Sequence, residues 1–168
     1  MPTVKILFNA VVSEDANFAT LDLTDFYLGS RLPSPEYIKI YVHDYPDSVL
    51  SDLGLVDFVQ LDKQQKRFVY FAIIGGLYGL PQVGKIAQND AIALLKASDF
   101  HETATPCLFR HATRDITFCL VVDDYGVKFT SREDLDFLVE CPSAKYHTKA
   151  HPVGTKYLGT TISHTRTQ

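Results

Sequence analysis

Two adjacent aspartates, Asp123 and Asp124, interrupt an otherwise apolar stretch, with Thr117-Phe118-Cys119-Leu120-Val121-Val122 before them and Tyr125-Gly126-Val127-Lys128-Phe129 after. The alternation on both sides predicts a β-hairpin with the pair at its tip. Tandem carboxylates repel each other, and a tight turn usually carries one Asp followed by Gly or Asn. Such a pair on a rigid scaffold calls for a cation, and carboxylate oxygens suit Mg²⁺, which binds through one or two carboxylates together with substrate phosphates. A third carboxylate, Asp22, ends a strand-like alternation over residues 18–23. If its strand neighbours the hairpin, Asp22 and Asp123 meet at one edge of a sheet. There they could hold two divalent ions a few ångströms apart, able to activate an attacking hydroxyl and stabilise a leaving oxygen in phosphoryl displacement.

The elements that must position these residues follow from periodicity. Val4, Leu7, Phe8, Val11 and Val12 share one helical face over residues 4–12, with Thr3 as the expected N-cap. Residues 29–36 hold Gly, Ser and two prolines and are expected to form a loop, followed by strands over 36–42 and 68–74. Residues 44–66 carry no clear period. The Gly-rich segment 75–81 reads as a structured loop, and Val83, Ile86, Ala87, Ala91, Leu94 and Leu95 follow helical spacing after it. A strand over 107–110 leads to the hairpin. Ser131-Arg132-Glu133-Asp134 resembles a capping box for a helix to about Glu140, stopped at Pro142, and short strands over 146–150 and 156–162 close the chain. Helices on one face of an antiparallel sheet make this an α+β fold.

Composition narrows the classes without choosing among them. With 168 residues the chain is long enough for one domain with a core of its own. No apolar run reaches the ~20 residues of a membrane span, so no membrane partner is expected. The three cysteines lack CxxC spacing, which argues against zinc and for reduced, intracellular thiols. The six histidines show no metal-binding spacing; His147 and His151 are expected on the surface, across a turn. A net charge of −4 argues weakly against nucleic acid, although an acidic metal centre lowers the total without excluding a basic rim.

Several of these segments, in order, resemble the polymerase motifs of copia-type retrotransposon reverse transcriptases. Thr3-Val4-Lys5-Ile6-Leu7 is similar to the family's finger helix, and Leu21-Asp22 through Tyr27-Leu28-Gly29 to its first aspartate motif. Leu77-Tyr78-Gly79-Leu80-Pro81-Gln82 resembles its Leu-Tyr-Gly-Leu-Lys-Gln signature, Val121-Val122-Asp123-Asp124 its Tyr-Val-Asp-Asp motif, and Tyr157-Leu158-Gly159 the Leu-Gly segment after the palm hairpin. The chain departs from the family pattern with Val121 in place of Tyr, Phe26 in place of a small residue, and Val83-Gly84-Lys85 in place of Ala-Pro-Arg. It also has Asp99 where a helix-ending Gly is usual.

The resemblance implies a single fingers-palm domain over 1–168, truncated at both ends, with a ferredoxin-like palm sheet. It implies an RNA-directed DNA polymerase that joins a deoxynucleotide to a primer 3′-hydroxyl. Asp22, Asp123 and Asp124 would be the catalytic carboxylates and the ligands of two Mg²⁺ ions, with Mn²⁺ able to substitute. Tyr27 would be the gate that excludes a ribose 2′-hydroxyl, Gln82 would contact the nucleotide, and Asp25 would stand near the triphosphate. Lys85 and the primer-grip positions Tyr157, Leu158 and Gly159 would meet nucleic acid. Expected partners are an RNA or DNA template with primer, deoxynucleotides, and the remaining polyprotein domains, integrase and RNase H. The setting implied is intracellular, in cytoplasmic virus-like particles and the nucleus. The alternative is a catalytically silent relic or domesticated fragment that only binds nucleic acid or protein.

Overall fold

A computed structural model of the chain describes residues 2–163; Met1 and residues 164–168 lie outside it. The fold is α+β with antiparallel sheets. Its elements in chain order are α1 (Pro2–Ser13), β1 (Asn17–Thr24), β2 (Arg31–Tyr41), α2 (Asp47–Asp52), a 3-10 turn (Val56–Phe58), β3 (Gln60–Leu61), β4 (Arg67–Gly75) and α3 (Pro81–Ala97). They continue with β5 (Phe100–Glu102), β6 (Leu108–His111), β7 (Ile116–Val121), β8 (Asp124–Phe129), α4 (Arg132–Ser143), β9 (His147–His151), β10 (Lys156–Tyr157) and β11 (Thr160–Thr161).

The main sheet runs β5-β6-β7-β8-β1-β9, every pairing antiparallel. Its four strands β7-β8-β1-β9, with α3 before the hairpin and α4 after it, trace a β-α-β-β-α-β path. Strand alternation sorts the side chains. Ala19, Leu21 and Leu23 of β1, Phe118 and Leu120 of β7, and Tyr125 and Val127 of β8 pack with Ala87, Ala91 and Leu95 of α3 and Leu135 and Leu138 of α4. Phe18 and Cys119 face the other way and pack with Leu7 and Val11 of α1 and with Tyr157.

Helices therefore cover both faces, not one. The second face carries Phe18, Cys119 and Val121, too apolar to stand in water, and the stripe Val4, Leu7, Phe8 and Val11 needs the same cover. Helix α1 also begins before the expected cap: Pro2 takes the first helical position, where its missing N–H costs nothing, and Thr3 Oγ1 donates to the Pro106 carbonyl at 3.1 Å. Lys128 lies buried beneath α1, paired with Glu14 and, at 2.8 Å, with Asp115.

The second sheet, β2-β4-β3, stands apart. Its strand β2 starts at Arg31, inside the segment expected to be a loop; Pro33 and Pro35 are tolerated because β2 is an edge strand and its register breaks between Arg31 and Glu36. Residues 44–66, unassigned from periodicity, hold α2 and β3, with Leu50 buried against Val42 and Val69. Helix α4 runs through Pro142 to Ser143: a proline so near the end leaves only one turn without its bond, and its carbonyl accepts the N–H of Lys145 and of Tyr146.

Candidate active-site cleft

Antiparallel register places Asp22 directly opposite Asp124 across β1 and β8. Opposed residues share a face, and it is the face of Phe18 and Cys119 that these carboxylates occupy, beyond the end of α1. Asp123 sits one residue earlier, in a two-residue turn with Val122. Its carbonyl accepts the Leu23 N–H at 3.1 Å, which ties the hairpin tip to β1. Val122 holds φ at +61°, a conformation a β-branched side chain rarely takes. Strain at that position, held by flanking strands, fixes how Asp123 is presented.

Asp124 feels the other two carboxylates. Burial, then Asp123, then Asp22 push the Asp124 carboxyl above its ordinary value. Thr24 Oγ1 donates to Asp22 Oδ2 at 3.5 Å, a long contact that leaves Asp22 most of its acceptor capacity. Among the described residues no three or more His, Cys, Asp or Glu side chains come together in a group that could hold a metal ion. Asp22 and Asp124 by themselves set acceptor-only oxygens side by side in the lining of a cleft, a chemistry that suits a hard divalent cation.

That cleft, about 260 Å³, is lined by Thr20, Asp22 and Asp124 on the sheet, His151 on β9, and Lys156, Tyr157, Leu158 and Gly159. Leu158 and Gly159, both at positive φ, form the tight turn between β10 and β11, the geometry of a type I′ hairpin. Tyr157 is buried and positions this hairpin. Its hydroxyl donates to the Cys119 carbonyl at 3.0 Å, and its ring lies on Gly126, where a Cβ would come within 2.7 Å of the ring. Lys156, Leu158 and Gly159 line the cleft beside it.

A second cavity of about 320 Å³ opens on the other side of the hairpin tip, between Val121, Val122, Phe26, Tyr27, Gly84 and Gln88. Tyr27 comes from the turn after β1, in which the Asp25 carbonyl accepts the N–H groups of Leu28 and Gly29. Asp25 itself is exposed, at φ +59°. The Tyr27 ring meets Phe26 at 5.4 Å and Tyr78 at 5.2 Å between centroids. Phe26 is buried in the core beside Tyr146 and forms part of the cavity's wall. Gly76 permits this packing: a Cβ there would lie 1.7 Å from the Tyr27 carbonyl oxygen. Gln82, in the first turn of α3, donates to Glu36 Oε1 of β2 at 2.9 Å, and Lys85 stands exposed one turn further on.

The fold thus brings Asp22, Asp124, Tyr157, Leu158 and Gly159 to one cleft and Tyr27 to the adjoining cavity, with Asp123 on the turn between them and in the lining of neither. Gln82 is engaged with the second sheet, and Lys85 lines neither space. Three basic groups escaped the sequence reading. His147, Lys149 and His151 do not span a turn; they alternate along β9 on one face, with Lys149 in register beside Asp22 and His151 beside Thr20. The signal was the period of two in His147-Thr148-Lys149-Ala150-His151. Lys156 completes this basic rim. Comparison with known protein families, curated proteins and solved structures finds no match.

Proposed function

We propose that this chain is the fingers-palm core of a copia-type reverse transcriptase, an RNA-directed DNA polymerase. The observation that carries the reading is the directly opposed pair Asp22 and Asp124, with Asp123 on the adjoining strained turn, at one end of a β-α-β-β-α-β sheet. In this reading the sheet is the ferredoxin-like palm, and β2, β3 and β4 belong to the fingers. Asp22, Asp123 and Asp124 would hold two Mg²⁺ ions, which when bound neutralise phosphate charge and favour the attacking 3′-hydroxyl.

The chain's own residues then do the positioning. The Tyr27 ring, braced by Phe26 and Tyr78, bounds the sugar pocket and excludes a 2′-hydroxyl, the group that separates ribose from deoxyribose. Leu158, Gly159 and Lys156 present backbone and charge to the primer strand. Lys149 borders the carboxylates and balances phosphate charge from the β9 side, with His151 beside it in the cleft lining. Gln82 couples the finger sheet to α3 through Glu36 and would reach a nucleotide only by exchanging that bond. Template with primer, deoxynucleotides and the other polyprotein domains are the partners of this reading, in an intracellular setting. No helix among the described residues is long and apolar enough to cross a membrane.

The second reading, a silent relic that binds nucleic acid without turnover, draws on the engagement of Gln82 by Glu36. Nucleotide choice separates the two. On a primed RNA template, wild type is expected to add deoxynucleotides in preference to ribonucleotides, and Tyr27→Ala to narrow that preference. No incorporation of either kind by wild type would favour the relic, and an unchanged preference in Tyr27→Ala would remove the gate.

A further inference from the structure

We infer that the outer face of the β2-β4-β3 sheet is a second nucleic-acid surface, a stacking platform for an unpaired single strand. It goes beyond the cleft and does not depend on it. Alternation and register define the face: Tyr37 opposite Ala72, Lys39 opposite Tyr70, Tyr41 opposite Phe68, with Ile74 beyond. The opposite face is covered at one end only, where Val69 and Phe71 pack on Leu50 of α2; what it leaves exposed there is aliphatic, Ile38 and Ile40, rather than aromatic. The outer face has no such cover.

Its side chains are of the kind that take up bases. Tyr37 is 69% exposed, Tyr70 52% and Tyr41 44%, unusual for aromatics on a strand. Tyr70 is the diagonal neighbour of both Tyr37 and Tyr41, so the three rings form a zigzag with steps of roughly 7–8 Å. Rings at such intervals accept successive unstacked bases, and stacking tolerates any sequence because every base has a π-face. The assembly is held in place: Phe68 lies buried edge-on to Tyr70 at 5.3 Å, and the Tyr41 hydroxyl donates to Asp62 at 3.1 Å.

Charge favours a polyanion over a second copy of the chain. The β2 and β4 positions on this face bear one cation, Lys39, and no carboxylate. Lys39 is folded onto the rings, its Nζ 3.8 Å from the Phe68 centroid and 4.7 Å from that of Tyr41, so its charge is held mid-face. Exposed Lys63 and Lys66 flank the Tyr41 end on the β3–β4 turn. Of the acids at this border, Asp62 is committed to the Tyr41 hydroxyl and to the N–H groups of Gln64 and Lys66, and Asp44 lies 3.3 Å from His43, whose ring meets Tyr41.

The test is fluorescence anisotropy with labelled oligo-dT and oligo-U against a hairpin duplex, in chelator and low salt, without nucleotide. These conditions make the outcome independent of whether the carboxylate cleft works. Wild type is expected to prefer the single strands. Tyr37→Ala and Tyr70→Ala should each weaken that binding by roughly tenfold. Tyr37→Phe should retain it, because the ring and not the hydroxyl stacks. No single-strand preference in wild type, or unchanged binding in both alanine variants, overturns the proposal. So does an equal loss in Tyr37→Phe, or a concentration-dependent dimer that Tyr37→Ala abolishes.

Discussion

Replacing Asp22 by Asn should stabilise the metal-free protein while removing its response to a divalent cation. Directly opposed antiparallel residues lie about 4.5–5.5 Å apart at Cα. Two full charges at that separation repel by about 1 kcal/mol in bulk water and about 3 kcal/mol at an effective dielectric constant of 20. Asp22 and Asp124 are both half-exposed, Asp22 ranks behind burial and Asp123 among the causes that raise the Asp124 carboxyl, and Lys149 flanks Asp22 on the other side. The lower figure therefore applies. For a chain of this size about 1 kcal/mol moves Tm by about 2–4 °C. The sign follows from the direction of the shift. A raised folded-state value means Asp124 contributes stability below its ordinary carboxyl range and loses it as pH rises through the folded value. The gain in Asp22→Asn should hence be absent near pH 3 and complete at pH 7. With Mn²⁺ at about a hundredfold its dissociation constant, wild type should gain about 2.7 kcal/mol and the variant far less, so the order of stability inverts. Thermal unfolding by circular dichroism in chelator and in Mn²⁺ reads both. A lower Tm for Asp22→Asn in chelator would refute the repulsion, and equal Mn²⁺ gains would refute the cation site.

Three further substitutions probe the supporting geometry. Val122→Gly should relieve the positive-φ strain and stabilise by about 0.5–1 kcal/mol in urea unfolding, yet weaken Mn²⁺ affinity because Asp123 loses its fixed presentation. Gly76→Ala drives a Cβ into the Tyr27 carbonyl and should cost about 2 kcal/mol or more in the same measurement; a neutral result would show that the Tyr27 turn is not held there. Asp99, at φ +60° just past the end of α3, stands where glycine relieves strain, so Asp99→Gly should raise stability by about 0.5–1 kcal/mol without touching cation binding.

Much of the main sheet was legible because its strands keep a strict period of two. Ala19, Leu21 and Leu23 against Phe18, Thr20 and Asp22 marked both the strand and its two faces, and the hairpin around Asp123 declared itself the same way. Asp99, standing where a helix-ending Gly is usual, takes the positive φ that such a glycine would adopt. Strand β2 was hidden because Pro33 and Pro35 suppress a strand reading, and only the edge position and register break admit them. Helix α2 was hidden because six residues hold no periodic signal and depend on Leu50 docking into Val42 and Val69. The face covered by α1 was invisible, since an amphipathic stripe says that it packs but not against which side. At the cleft, sequence order pointed to Asp22, Asp123, Asp124 and Tyr27. The basic side chains of β9 required the register, which puts Lys149 beside Asp22.

The most direct test of the central claim is Mg²⁺-dependent extension of a primed RNA template by wild type and Asp123→Asn, matched for folded content. The account predicts deoxynucleotide incorporation by wild type that vanishes in chelator and in Asp123→Asn. Equal extension by the two proteins would contradict it.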